Sequence, residues 1–417
     1  MGRRAVAVSA VLFFVQCLWI LWLSRAEPDP AVAAMEEAER EALYLAVQGF
    51  VGNQWDGRSL FPDPCGWTPI QGVSCDVYGG RWYIAAIDVG PVLDNSLKCS
   101  TEAELSPHLF ELKHLRSLSL FRCFTDQSVA GGASLYQDWQ KLSGSLETLE
   151  FRSNAGLRGG IPPGLGLLSN LQSLVLVENS LTGQLPPELG NLVRLRRLSL
   201  AGNQLSGQIP AYNDWNELLI LDLSRNSLSG PLPPSILSMS ALLKLDLSSN
   251  QLNGQLPVAK QGSLTLLDLR NNNFSGLAGL AGMAALQYLL LSDNPLRANL
   301  AELGLENLRN LIALDLSSTG LRGEIPETIA KLRRLRFVAL NDNDLSGRVP
   351  KSLEDLPELN ALYLSGNHLR GELEFSEEFY ARMRRRFACR NNAELCYRAR
   401  AGSRQVAPPA GVRRCWN

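Results

Sequence analysis

The stretch LLILDLSRN at Leu218–Asn226 returns as LLKLDLSSN at Leu242–Asn250 and as LTLLDLRNN at Leu264–Asn272. Within each copy, alternation places two Leu on one face of a short extended segment and the residues beside them on the other. Leu221 and Leu223 form one such inward pair; Ile220 and Asp222 face outward. A strand this short cannot bury its apolar face alone, so copies must stack. The closing Asn stands where the chain turns. Its amide can bond backbone groups of adjacent coils that would otherwise be unpaired.

Working outward, the phrase LxxLxxLxLxxN ends at Cys123, Asn154, Asn179, Asn203, Asn226, Asn250, Asn272, Asn294, Thr319, Asn343 and Asn367. The first interval is 31 residues and the others run from 22 to 25. That is the leucine-rich-repeat period of roughly 20–29 residues, in about eleven copies. The fold expected is an α/β repeat solenoid, with a parallel sheet along its concave side and capped ends. Thr319 can supply part of the Asn role through its hydroxyl, and Cys123 only weakly. Most copies continue as LxGxIP or LxGxLP, for example Leu205–Pro210 and Leu321–Pro326. Gly permits a tight bend there and Pro an extended or turned path. The copies at Leu267–Leu277 and Leu289–Arg297 lack the Pro. The long first interval reads as an excursion over Thr125–Ser145, closing in a short helix around Tyr136–Leu142.

The chain has 417 residues, 45% hydrophobic, with 40 Lys and Arg against 41 Asp and Glu. This balance gives no footprint for nucleic acid. Arg3 and Arg4 precede an apolar run from Ala5 to Leu23, and Ser24-Arg25-Ala26 follows with small residues where a signal peptidase reads. Residues 1–26 therefore read as a signal peptide cleaved after Ala26, with 32–34 as a second cleavage site. An uncleaved signal anchor is the alternative reading. No second apolar span follows. Secretion is expected, to the cell wall or apoplast or to the outer face of the plasma membrane. An N-terminal cap is expected over 36–111, repeats over 112–375 and a C-terminal cap over 376–417. In the first cap, Leu43, Val47 and Phe50 share a helix face, and Trp55 and Trp67 are available to plug the first coil. In the second, Ser376 can start a helix in which Phe379, Met383 and Phe387 seal the last coil. The run Arg384–Arg386 reads as a solvated helix end.

The stretches FPDPCGWTPIQGVSCD (Phe61–Asp76), LKHLRSLSLFRCF (Leu112–Phe124), LEFRSNAGL (Leu149–Leu157) and RRLRFVALNDNDLSG (Arg333–Gly347) go beyond the generic repeat. With them the chain resembles a family of exported, receptor-like plant leucine-rich-repeat proteins that carry no kinase. The resemblance covers about Glu36 to Cys415. It implies recognition at the cell surface, linked to a root's growth response to a beneficial fungal endophyte. It also implies that Cys65 and Cys75, in the cap pattern of this class, pair with one another. For Cys396 and Cys415 the expectation is a staple over the other cap. Cys99 and Cys123 are a third candidate pair, unless Cys123 is simply a buried ladder residue. Seven cysteines remain after cleavage, an odd number. Cys389 is left without a partner, and a cysteine there departs from the family's pattern.

Nothing in the sequence reads as catalytic, metal-binding or cofactor-binding, so no enzyme is expected. His108, His114 and His368 have no metal-ligand spacing. Asp222, Asp246, Asp268 and Asp315 share one repeat slot, which repeat grammar explains better than acid–base chemistry. The concave face is the default binding site of a solenoid. Early copies place Ser117, Thr148 and Ser199 there. Later ones place Tyr288, Leu290, Phe337 and Tyr363, with Arg270 nearby, and aromatic anchors of this kind carry binding energy. These five residues form the expected contact face for a protein or peptide ligand, with a receptor-like kinase as one candidate partner. The alternative function is inhibition of a secreted microbial cell-wall hydrolase. Asn273-Phe274-Ser275 is the one N-x-S/T sequon, with Asn273 expected outside and Phe274 inside.

Overall fold

The computed structural model describes residues 34–91, 97–125, 133–135, 137–258, 262–398 and 411–415. The signal segment, its cleavage sites, Cys17 and Tyr136 lie outside the described residues. One strand per copy, from Ser117–Phe121 to Ala361–Tyr363, lies parallel and in chain order in a 15-stranded sheet. Their register is in phase: Leu221 faces Leu245, which faces Leu267. All three are buried in one continuous apolar core. Each buried Leu is worth about 1.5–3 kcal/mol relative to exposure, so the core is the main force holding the coils together.

The turn residues work as a ladder. Asn226 Nδ2 donates to the carbonyls of Leu200, at 3.0 Å, and Leu223, at 3.1 Å. Its Oδ1 accepts from Leu205 N, at 3.1 Å. The residue before each ladder position takes a left-handed backbone: Ser153, Glu178, Arg225, Ser249 and Asp342 have φ of 55 to 57°. Thr319 keeps the ladder intact by donating from its hydroxyl to Leu316 O at 2.7 Å and lying 3.0 Å from Asn343 Oδ1.

The Gly-x-x-Pro extensions build a second layer on one flank. A seven-stranded sheet runs from Ala133–Ser134 to Asn273–Gly276, and a five-stranded one from Arg322–Glu324 to Arg413–Arg414. Between them, the copy around Leu289–Arg297 makes no flank strand, only an isolated bridge from Asn299 to Arg322. Short 3-10 helices line much of the far side. In the copy after Asn203, Tyr212 and Trp215 stack with centroids 4.0 Å apart and fill that space instead. In the long first excursion the helix is a 3-10 turn, Trp139–Leu142, starting later than expected.

The helix Glu37–Val51 covers the first coil with Leu43, Val47 and Phe50 fully buried. Trp55 stacks on Phe61 beside it. Trp67 does not plug the coil: it is 93% exposed, on the outer turn of the Cys65–Cys75 loop. Its backbone N–H donates to Asp63 Oδ2 there, at 3.0 Å, which holds the turn outside the coil. Disulfides join Cys65 to Cys75, Cys99 to Cys123 and Cys396 to Cys415, with Cα separations of 5.7, 4.9 and 4.9 Å. At the other end, Ser376 Oγ accepts from Phe379 N and caps the helix Glu377–Met383.

The C-terminal cap is itself a degenerate repeat. Phe387–Ala388 adds to the concave sheet, with Phe387 opposite Leu362. Asn392 then repeats the ladder, donating to Leu364 O at 3.0 Å and accepting from Leu369 N at 3.0 Å. Phe387-Ala388-Cys389-Arg390-Asn391-Asn392 thus follows LxLxxN, and Cys389 fills the second inward Leu slot. It is buried and has no disulfide partner among the described residues, and burial pushes its thiol pKa up to about 12.

Candidate functional site

The concave sheet presents its outward residues in columns, because each strand is in register with the next. Tyr288, Ala313, Phe337 and Ala361 form one column. Leu290, Asp315, Ala339 and Tyr363 form the next. Of the five candidate contact residues, the structure brings two together. The rings of Phe337 and Tyr363 meet edge to face, diagonally across neighbouring coils. Small residues make this possible: Ala339 and Ala361 occupy the other two corners and are covered. Tyr288, 38% exposed, lies two coils from Phe337 across Ala313. At about 4.8 Å per strand that separation is about 10 Å.

Arg270 stands apart from this group. Its guanidinium is held by Asp268, with Nη2 to Oδ2 at 2.6 Å and Nε to Oδ1 at 3.0 Å. The pairing explains how Asp268 tolerates being 3% exposed. In three other copies the same Asp slot is satisfied by a Ser two residues on: Ser224, Ser248 and Ser317 each donate their hydroxyl to it at 2.7 Å. These aspartates are turn supports.

Two exposed leucines escaped the sequence reading. Leu219 and Leu243, 37% and 40% exposed, sit just before their strands and are joined by Leu243 N to Leu219 O at 2.9 Å. The doubled Leu in LLIL and LLKL was the available signal, since the first is inward by period and the second is not. With half-buried Ile220, Leu266 and Ile312, they extend the apolar surface along the leading ends of the strands toward Tyr288 and Phe337.

The trailing ends are charged. An open depression of about 560 Å³ there is lined by Arg152, Arg197, Asp222, Arg225, Asp246 and Arg270, among others. Arg152 pairs with Glu150 at 3.1 Å and Arg225 with Glu178 at 3.3 Å. Arg197 has no carboxylate partner among the described residues, and its Nε is covered and unbonded. The concave face therefore joins an apolar margin to a charged one.

The histidines lie apart. His114 stacks on Tyr78, with centroids 4.4 Å apart, and lies tilted against Tyr83 at 4.2 Å. Among the described residues no three His, Cys, Asp or Glu side chains gather to hold a metal ion, and no helix is long and apolar enough to cross a membrane.

Comparison with known proteins agrees with this architecture. The leucine-rich-repeat family profile matches residues 170–192, 194–212, 217–239 and 310–332. The chain is 52% identical over 154 residues to Piriformospora indica-insensitive protein 2 of Arabidopsis thaliana, a match covering 37% of this chain and 36% of that protein. The crystal structure of PEPR1–AtPEP1 is similar with a TM-score of 0.71 at 28% identity, over 87% of this chain and 49% of that one. A plant peptide hormone receptor, RGFR1 in complex with RGF2, gives 0.62 at 29% identity, over 70% and 46%. These matches thus span half or less of the length of each relative. The chain has a plant-type leucine-rich-repeat fold, shared with plant receptor structures.

Proposed function

We propose that this chain is an extracellular, receptor-like recognition protein that binds a peptide or protein partner on its concave face and serves a plant's response to a microbe, a beneficial fungus in particular. The observation that carries the binding role is the concave face itself. Phe337 and Tyr363 form an outward aromatic pair that core packing does not require, continuous with an apolar margin and facing a charged one. Three disulfides fit an oxidising compartment outside the cytosol. The peptide class is favoured by the likeness to RGFR1, whose structure contains RGF2. The fungal role is favoured by the name of the Arabidopsis relative. A membrane receptor kinase is the candidate that would carry a signal onward.

The test is capture. The chain beginning at Glu27, immobilised through its C-terminus, is exposed to solubilised root plasma membranes with and without fungal exudate. Bound proteins and peptides are read by mass spectrometry. A partner retained by the wild-type chain and released by the Phe337→Ala, Tyr363→Ala variant supports the reading. Equal retention by both moves the site off this face.

A further inference from the structure

The two flank sheets differ in charge. Ion pairs run along the five-stranded one: Arg322 with Asp344 at 3.6 Å, Arg348 with Glu374 at 3.5 Å and Arg398 with Glu372 at 3.3 Å. In the seven-stranded one, the strands Ser180–Gln184, Gln204–Gly207, Ser227–Pro231, Gln251–Gln255 and Asn273–Gly276 carry no charged residue. The second residue of each, a Leu or Phe274, is buried. Ser, Thr, Asn, Gln, Gly and one Pro remain outside, with Asn273 exposed on the last strand. Packing does not require this, because the equivalent outward positions of the other sheet hold Arg322, Glu324, Asp344 and His368.

The uncharged face is ordered. Register aligns Gln184 with Ser206 and Ser227, and Pro231 with Asn253 and Asn273, so polar groups run in rows from coil to coil. At about 4.8 Å per strand the five strands span about 19 Å. Gln184 and Gln208 lie flat over the next coil. A Cβ on Gly207 would stand 3.0 Å from Gln184 Cγ, and one on Gly230 2.9 Å from Gln208 Cγ. The side chains of Thr182, Gln184, Gln204, Gln208, Gln251 and Gln255 are exposed and make no hydrogen bond to protein among the described residues. Each amide both donates and accepts, as a sugar hydroxyl does.

The chemistry selects the occupant. A protein partner needs aromatic or apolar anchors, and the outward side of these strands offers Pro231 alone. A polyanion needs cations, and these strands hold none. A rigid lattice needs one unbroken repeat, but Pro231 interrupts the polar rows and the register shifts between Gly254 and Gln255. We propose that this face binds an extended, uncharged polysaccharide, a neutral glucan chain lying across the coils and hydrogen-bonded to the Gln amides. The site goes beyond the recognition role above and leaves the concave face open.

The test is affinity electrophoresis of the full chain, purified after secretion from plant cells, in native gels containing xyloglucan, laminarin or polygalacturonate. Retardation is expected with a neutral glucan and not with polygalacturonate. The triple variants Gln184→Glu, Gln208→Glu, Gln255→Glu and Gln184→Ala, Gln208→Ala, Gln255→Ala alter only exposed side chains. Both should melt like wild type and bind the glucan at least about tenfold more weakly. Arg370→Gln, on the charged flank, and the Phe337→Ala, Tyr363→Ala variant should bind it as wild type does, which separates this site from the concave one. Absence of retardation by both neutral glucans overturns the proposal, and so does equal retardation of the triple Ala variant and wild type. Retardation by polygalacturonate alone assigns binding to the charged surfaces and overturns it as well. Glucan binding lost in the Phe337→Ala, Tyr363→Ala variant moves the polysaccharide to the concave face.

Discussion

Phe337 and Tyr363 touch edge to face with ring centroids 5.7 Å apart and planes at 62°, although they belong to neighbouring coils and to different columns of the concave sheet. Such a pair contributes about 0.5–1.5 kcal/mol, a small part of the stability of a long solenoid. An aromatic anchor in an interface is worth about 2 kcal/mol or more. The double substitution Phe337→Ala, Tyr363→Ala should therefore be secreted at wild-type level and melt within a few degrees of wild type. Its Kd for a captured partner should rise at least about tenfold, or 1.4 kcal/mol. A melting temperature that collapses in the double variant would mark the pair as structural.

Asn343 tests the ladder. Its Nδ2 donates to Leu316 O at 2.8 Å and to Leu340 O at 3.0 Å, and its Oδ1 accepts from Thr319 N and Leu321 N, both at 3.0 Å. Asn343→Ala leaves the N–H groups of Thr319 and Leu321 in the neighbouring coil without a partner, while Leu316 O keeps the Thr319 hydroxyl and Leu340 O keeps Asn367 Nδ2. At about 1–3 kcal/mol for each unsatisfied group, the loss should reach about 2 kcal/mol or more. Hydrogen exchange should localise it to the coils from Leu316 to Leu345. The exposed Asn216→Ala should stay within about 0.5 kcal/mol. Equal, small effects in denaturant titrations of both variants would sink the ladder account.

Cys389 has no disulfide partner among the described residues but should be inert in the folded protein. Its thiol is buried in the slot that Leu fills elsewhere, and its pKa is raised to about 12 by that burial. An alkylating reagent at neutral pH should label it only after denaturation. The raised value also sets a pH dependence. The folded state holds the proton more tightly than the unfolded chain, whose thiol ionises near an ordinary value of about 8.5. The stabilisation is complete below that value and declines as pH rises toward 12. Cys389→Ala should remove this component of the alkaline loss, read by thermal melts from pH 8 upward. Rapid labelling of the native chain would contradict the packing.

Arg270 and Asp268 separate support from recognition. Arg270→Ala leaves a nearly buried carboxylate with only a backbone donor and should cost about 1–2 kcal/mol. Arg270→Ser recreates the Asp–Ser arrangement of three other copies and should recover most of it, within about 0.5 kcal/mol. Partner affinity measured on the stable Ser variant then reports Arg270's part in binding, free of the folding defect. If both variants lose stability equally, the Ser does not replace the guanidinium.

The sequence by itself determined everything that follows from a period. Which Leu point inward, which Asn close each coil and where the copies begin were readable because the inward slots recur at fixed spacing and each answers to one physical demand. Phe274 inside and Asn273 outside came from the same rule. The tertiary structure alone decided what depends on neighbouring coils. Phe337 meets Tyr363, while Tyr288 stays apart, because the sheet register puts Ala339 and Ala361 between the first two rings. Arg270 is tied down because the residue two before it is an Asp with no Ser to satisfy it. Trp67 stays in solvent because the Cys65–Cys75 loop turns it away from the coil. The degenerate copy around Cys389 hid in a cap that lacks the repeat's leucines, and it became legible only when Asn392 bonded Leu364 and Leu369. Outward residues carry no periodic constraint, so only the stacking of coils shows which of them share a surface.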